Sequence, residues 1–148
     1  MPEKIKLASE ELALMSMFQS ISGATARDCI IDSKLDRVIF VVNSGQMGLA
    51  IGRGGATIDK VQRAMGKTVE PVEWSEDPKQ FIMNCLNPHF VKEIRISDKS
   101  DGTKSATVVV DQMKKGAILG KGGRNAEKAR LLAKRYFSVE TIHIVSPQ

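Results

Sequence analysis

Histidine, cysteine and aromatic residues are scarce in this chain of 148 residues, and each scarcity closes a class of function. The two histidines, His89 and His143, are isolated from one another. The two cysteines, Cys29 and Cys85, lack C-x-x-C spacing and a neighbouring pair of histidines, which excludes the usual zinc sites. Both fall in apolar patterns, one strand-like and one helix-like, and read as buried packing residues. A disulfide between them would depend on their separation in the fold. Long apolar runs are missing too. The longest, Val38 to Val42, is far below the roughly 20 residues that cross a bilayer. Met1-Pro2-Glu3-Lys4 shows no cationic flank leading into an apolar stretch, so no secretory leader is read there. The expectation is a soluble, cytoplasmic protein with no membrane partner. No metal, cofactor, small-molecule substrate or catalytic constellation is indicated, and the chain is not expected to be an enzyme.

What is present is a foldable composition with uneven charge. Hydrophobic residues make up 42% and charged residues 26%, enough apolar surface to build a core with no segment biased toward disorder. The net charge is +5 and the isoelectric point is near 9.3, which favours polyanionic partners. Residues 1–77 hold 9 Lys and Arg against 11 Asp and Glu, a balance of −2; residues 78–148 hold 13 against 6, a balance of +7. The basic character therefore belongs to the second half.

That half also repeats the first. Ile51-Gly52-Arg53-Gly54-Gly55, followed by Ala56-Thr57-Ile58-Asp59-Lys60-Val61, aligns without gaps on Leu119-Gly120-Lys121-Gly122-Gly123, followed by Arg124-Asn125-Ala126-Glu127-Lys128-Ala129. The offset from Gly52 to Gly120 is 68 residues, long enough for a small domain and too long for a solenoid unit. Flanking patterns repeat as well. The spacing predicts a helix over 9–21 with Leu12, Met15 and Phe18 among its apolar positions and Ser9 as N-cap. Strands over 28–32 and 37–43, a short helix over 46–51, a helix over 57–65 and a strand over 68–74 follow. The second half gives a helix over 78–86, strands over 91–97 and 106–111, a short helix over 113–119, a helix over 125–137 and a strand over 139–145. Each half is thus αββααβ, and the fold class is α+β with a three-stranded sheet packed against helices. The boundary falls at Ser75-Glu76-Asp77-Pro78, giving units 1–75 and 76–148. Pro78 disfavours helix at Asp77 yet suits the first turn of the next helix, so the junction is short and the units are expected to be rigidly joined.

A G-x-x-G loop inside an αββααβ unit resembles the type II KH domain, and the resemblance covers both halves. One such loop is weak evidence; two in matching context are strong. The family's loop clamps a short run of single-stranded nucleotides through their backbone. The physics can be rebuilt from these residues. Gly52, Gly54 and Gly55, like Gly120, Gly122 and Gly123, carry no Cβ to keep a phosphate from main-chain N–H groups. The helix after each loop turns its positive dipole end toward that anion. At ~100° per residue, Ile58, Val61 and Met65 share an inner face, and Lys60, Arg63 and Lys67 an outer one. In the repeat, Ala126, Ala129 and Ala133 lie inside while Arg124, Lys128 and Arg135 form the outer stripe. The candidate RNA-binding residues are Ile51, Gly52, Arg53, Gly54, Gly55, Lys60 and Arg63 in the first unit, with Leu119, Gly120, Lys121, Gly122, Gly123, Arg124 and Lys128 in the second. Other glycine motifs fail. Gly116-Ala117-Ile118-Leu119-Gly120-Lys121 is one residue short of a P-loop and continues into Gly122 instead of Ser or Thr. Seven aromatic residues are too few for an aromatic platform for stacked bases.

Val72-Glu73-Trp74-Ser75-Glu76-Asp77-Pro78-Lys79-Gln80-Phe81-Ile82, with Asn84, Leu86, Pro88 and the two loops, looks like the paired KH region of the NusA family in its short archaeal form. The resemblance implies binding of nascent single-stranded RNA during elongation, termination or antitermination, with RNA polymerase as the protein partner. The polymerase-binding and S1 domains of bacterial members find no room in this sequence. It also implies a base-binding groove between the loop helices and the preceding strand, 37–43 or 106–111, with modest discrimination per unit. Trp74 and Phe81 are expected to pack across the junction. A protein-interaction scaffold of the transcription or ribosome-assembly machinery, with RNA binding secondary, is the alternative that the slightly acidic first half supports.

Overall fold

The computed structural model describes residues 8–86 and 91–147; Pro88, His89 and the first four residues lie outside the described residues. The described residues divide into two compact units between Trp74 and Ser75.

In the first unit α1 (Ser9–Ser22), β1 (Ala26–Asp32), β2 (Arg37–Val42), α2 (Met47–Ile51), α3 (Ala56–Met65) and β3 (Thr68–Glu73) follow in that order. β2 lies in the middle of the sheet, antiparallel to β1 and parallel to β3. Its six residues are all buried, as the β-branched run Val38-Ile39-Phe40-Val41-Val42 demands of a central strand. Phe18 of α1 stacks on Phe40 with ring centroids 4.3 Å apart. Val38, Val42, Ala50, Val61 and Val69 complete this core, and Met15, Ile21, Ile58 and Met65 pack on its edge. Of the three apolar positions expected to anchor α1, Phe18 and Met15 do so, whereas Leu12 is 52% exposed. Ser9 does not cap α1. Ala8 takes the N-cap position without a side-chain bond, and Ser9 is already the first helical residue.

Two charged residues, Asp28 and Arg37, are buried in this unit. Arg37 is buried and is held from two sides: its Nε donates to Asp32 Oδ2 at 2.9 Å and its Nη1 to Glu70 at 3.2 Å. Since an unpaired buried guanidinium would be prohibitive, these bonds tie the neighbouring ends of β1, β2 and β3 together.

The second unit repeats the order with α4 (Pro78–Cys85), β4 (Val91–Asp98), β5 (Lys104–Val110), α5 (Lys115–Leu119), α6 (Arg124–Phe137) and β6 (Val139–Val145). β5 is again central, antiparallel to β4 and parallel to β6. Asp77 caps α4 by accepting from the Lys79 amide, with Pro78 in the first turn. Ala126, Ala129 and Ala133 face inward as expected, joined by Leu132. Their small side chains let α6 pack against α4, where Phe81 meets the edges of Tyr136 and Phe137 at centroid distances of 5.7 and 5.6 Å. Trp74 receives the Arg27 guanidinium over its ring at 4.5 Å. Cys29 and Cys85 are both buried free thiols.

Candidate nucleic-acid interface

Each glycine loop joins a one-turn helix to a longer one. In the first unit Gly52 (φ 76°, ψ 171°) ends α2, a single 3₁₀ turn covers Arg53–Gly55, and α3 starts at Ala56. Gly54 and Gly55 in that turn are left-handed, at φ 62° and 80°. Gly120 (79°, 167°), Gly122 (65°, 19°) and Gly123 (75°, 17°) reproduce the conformation. No equivalent φ differs by more than 5°, the largest gap being 80° at Gly55 against 75° at Gly123.

The geometry determines which main-chain donors remain for a ligand. Gly52 N–H bonds Gly48 O at 2.9 Å and Gly55 N–H bonds Gly52 O at 3.2 Å; Ala56 N–H bonds Arg53 O. In the second loop Gly120, Gly123 and Arg124 do the same with Gly116, Gly120 and Lys121. Among the described residues, the amides of Arg53 and Gly54, and of Lys121 and Gly122, have no protein acceptor. All four residues are exposed. The outer glycines therefore close the loop on itself, and the two tip amides face outward at the mouth of α3 or α6. This narrows the expectation that every glycine of the loop would offer its N–H to the two tip amides, at the helix end whose dipole favours negative charge.

Around the first tip, Lys60 and Arg63 are exposed, as their spacing predicted, and so is Arg53, with Ile51 38% exposed beside them in sequence. The second departs from expectation. Lys121 is exposed and Arg124 half-buried, but Lys128 is buried. The expected outer stripe fails at Lys128 because α6 is covered by α4 on that side, which brings the ammonium into the neighbourhood of Cys85. Burial pushes the Cys85 thiol up to about 12, with the charge of Lys128 pulling in the opposite direction. On the exposed side of α6, Arg130 pairs with Glu127 at 3.4 Å and Lys134 with Glu140 at 3.5 Å. Cations that sequence reasoning passed over stand at the start of α5: Lys114, its N-cap, is exposed and Lys115, its first residue, half-exposed. The signal was the Lys-Lys doublet six residues ahead of Gly120.

The expected base groove needs correction too. β2 and β5 are central strands whose main chains are paired on both sides, so neither offers backbone groups to a base. The free strand edge on the side where α2 packs is that of β3.

Comparison with known proteins joins these features to a family. Residues 14–76 match the model of the KH domain and residues 78–146 that of the NusA-like second KH domain. The probable transcription termination protein NusA of Halobacterium salinarum is 36% identical over 140 residues, covering 95% of this chain and 98% of its own. The chain belongs to the NusA family. The protein of the same name from Methanococcus vannielii is 32% identical over 143 residues, covering 97% of this chain and 81% of its own. The transcription termination/antitermination protein NusA of Thermus thermophilus is 34% identical over 91 residues, which cover 61% of this chain but 23% of that much longer protein. The crystal structure of APE1850 superposes with a TM-score of 0.83 at 39% identity, covering 94% of this chain and all of that one. The αββααβ units and the loop pair are thus NusA-type KH domains. Among the described residues no cluster of His, Cys, Asp and Glu could hold a metal ion, and no helix is long and apolar enough to cross a membrane.

Proposed function

We propose that this chain binds single-stranded RNA through both glycine loops and acts as a NusA-like factor in transcription elongation, termination or antitermination. The observation that carries the reading is the pair of matching loop tips, each with two outward amides and a basic side chain, Arg53 or Lys121, at the start of a helix. Such a tip accepts a phosphodiester without reading its base. The contact set comprises Ile51 to Gly55, Lys60 and Arg63 in residues 1–75, and Leu119 to Arg124 in residues 76–148. Lys128, being buried, is left out of it. Membership of the NusA family and the names of its relatives support the transcriptional role, with RNA polymerase as the protein partner.

Filter binding of a labelled oligoribonucleotide, single-stranded and as its duplex, at two salt concentrations tests the reading. The expected result is preference for the single strand and marked weakening at higher salt, because basic groups release counterions from the phosphates. No binding of the single strand at low salt would overturn it in favour of the protein-interaction scaffold.

A further inference from the structure

The two sheets leave corresponding edges open, but those edges do not carry the same hydrogen-bonding groups. In the first unit the Trp74 N–H donates to Val42 O at 2.8 Å, so the main chain of Trp74 faces β2, and at every second residue so do those of Val72 and Glu70. Val69 and Pro71 therefore turn their main chains away from the sheet. The Val69 amide shows this direction, since it donates to the Gln62 side chain of α3 at 3.0 Å. With that donor taken and Pro71 having none, the edge from Val69 to Val72 presents outward carbonyls and no N–H. α2, five residues long and so about 7 Å, packs on β3 and runs into the loop turn. The edge thus lies within one short helix of the tip.

β6 is built alike except at the centre of that edge. Phe40 pairs with Pro71 in the first sheet, and Val108, 68 residues on, pairs with Ile144 in the second. Two residues earlier, Val69 and Ile142 correspond in the same way, pairing with Val38 and Ala106. Arg130 stands at the place of Gln62, again at the 68-residue offset, and its Nη2 donates to Ile142 O at 3.4 Å. Ile142 faces outward as Val69 does, and so, two residues on, does Ile144. Unlike Pro71, Ile144 carries an N–H beside its carbonyl. Both residues are half-exposed.

We infer that Pro71 makes the first unit selective for bases that carry an exocyclic amine and biases it against uracil. An amine donates to the outward carbonyls of β3. Uracil, whose one ring N–H lies between two carbonyl oxygens, sets oxygen against oxygen there. In the second unit Ile144 presents donor and acceptor together and takes uracil as readily as cytosine. Two units with the same loop backbone therefore differ in base preference through one main-chain N–H. This rests on the RNA-binding reading above.

The test is fluorescence anisotropy with labelled oligo(rC) and oligo(rU) of equal length, two pyrimidines with the same backbone that differ by an amine against a carbonyl oxygen. The full chain is compared with Pro71→Val, Pro71→Ala and Ile144→Pro. The parent should bind oligo(rC) roughly threefold to tenfold more tightly, the worth of about one net hydrogen bond. Pro71→Val and Pro71→Ala differ in shape and share the restored N–H, so both should bring the ratio toward one by tightening oligo(rU). Ile144→Pro removes an outward N–H that no ladder bond uses, a place where an edge strand tolerates proline, and should raise the ratio. Circular-dichroism melts should place all three variants close to the parent. Equal affinity of the parent for the two oligomers, or a ratio that any of the variants leaves unmoved, overturns the inference with the loop reading intact. Failure of the parent to bind either oligomer overturns both.

Discussion

Gly52 lies so close to Thr57 that a Cβ built on it would stand 2.8 Å from the Thr57 backbone nitrogen. The contact is the inner side of the loop: Gly52 must be bare for α3 to begin where it does. Its φ of 76° and ψ of 171° also fall in a region that only glycine uses freely.

Gly52→Ala is therefore expected to lower stability by about 2–3 kcal/mol, from backbone strain and a clash that main chain cannot relieve cheaply. Gly54→Ala should cost nearer 1 kcal/mol, because its Cβ would meet nothing within 4 Å and only its φ of 62° is strained. Gly120→Ala should fall between them, since its Cβ would meet the Asn125 side chain at 3.0 Å, and a side chain can move. Urea unfolding of the three variants checks the order.

Charge reversal at the tips addresses binding instead of folding. Arg53→Asp with Gly54→Asp, and separately Lys121→Asp with Gly122→Asp, puts carboxylates at the proposed phosphate contact. Neither Gly54 nor Gly122 has a neighbour within 4 Å of a Cβ, and Asp tolerates left-handed backbone better than most residues, so thermal melts should shift little. Single-stranded RNA affinity should fall roughly tenfold to a hundredfold, the equivalent of one or two charge-assisted hydrogen bonds. The second pair should cost more, because the +7 half of the chain supplies more of the field.

Periodicity and repetition made the elements and the loops legible; what escaped them were partners contributed by distant segments. Val61 and Ala129 could be placed inside because a helix repeats every 3.6 residues. Lys128 sits one position before Ala129, and its placement depended on α4, more than forty residues earlier, covering that side of α6. No local pattern contains that fact. Likewise the run 37–43 reads as a strand, but its central position, with both edges paired, is decided by β1 and β3 together. Ser9 failed as a cap because the helix begins at Ser9 itself, one residue earlier than a Ser9 cap requires, a boundary error that cap chemistry alone does not prevent. Lys114 and Lys115 were plain in the sequence but were absorbed into a short helix whose exposure only the folded unit reveals.

The Arg37 cluster gives the first unit an acid-sensitive element. Burial raises the Asp32 carboxyl, but the hydrogen bond from Arg37, the amides of Leu35 and Lys34 and the guanidinium charge outweigh it and leave the pKa below its ordinary 3.8. With the folded value depressed, the stabilisation is complete above about pH 4 and is lost as pH falls through the folded pKa. Asp32→Asn should lower stability at pH 7 and flatten the stability profile below pH 4. Arg37→Met should cost about 3–5 kcal/mol, because it leaves Asp32 and Glu70 facing each other without their cation. Chemical denaturation between pH 3 and 7 measures both; a profile unchanged by Asp32→Asn would show that the carboxylate contributes nothing there.

The ends of the two loop helices supply the last prediction. α3 stops at Gly66 with φ 67°, whereas α6 stops at Ser138 with φ 58°. Both residues take the left-handed conformation that ends helices, and both donate their amide to the final turn, to Gln62 O and Ala133 O. Serine pays a steric penalty there of about 1 kcal/mol that glycine avoids. Glycine also loses more freedom on folding, so Ser138→Gly should gain about 0.5 kcal/mol net. The Ser138 carbonyl still accepts from Lys104 N–H at 3.0 Å, a main-chain bond that the substitution leaves in place. A rise of roughly 1–2 °C in melting temperature is expected for a chain of this size. A fall would mean that the serine side chain holds the turn between α6 and β6, and that the two helix ends, alike in backbone, are stabilised differently.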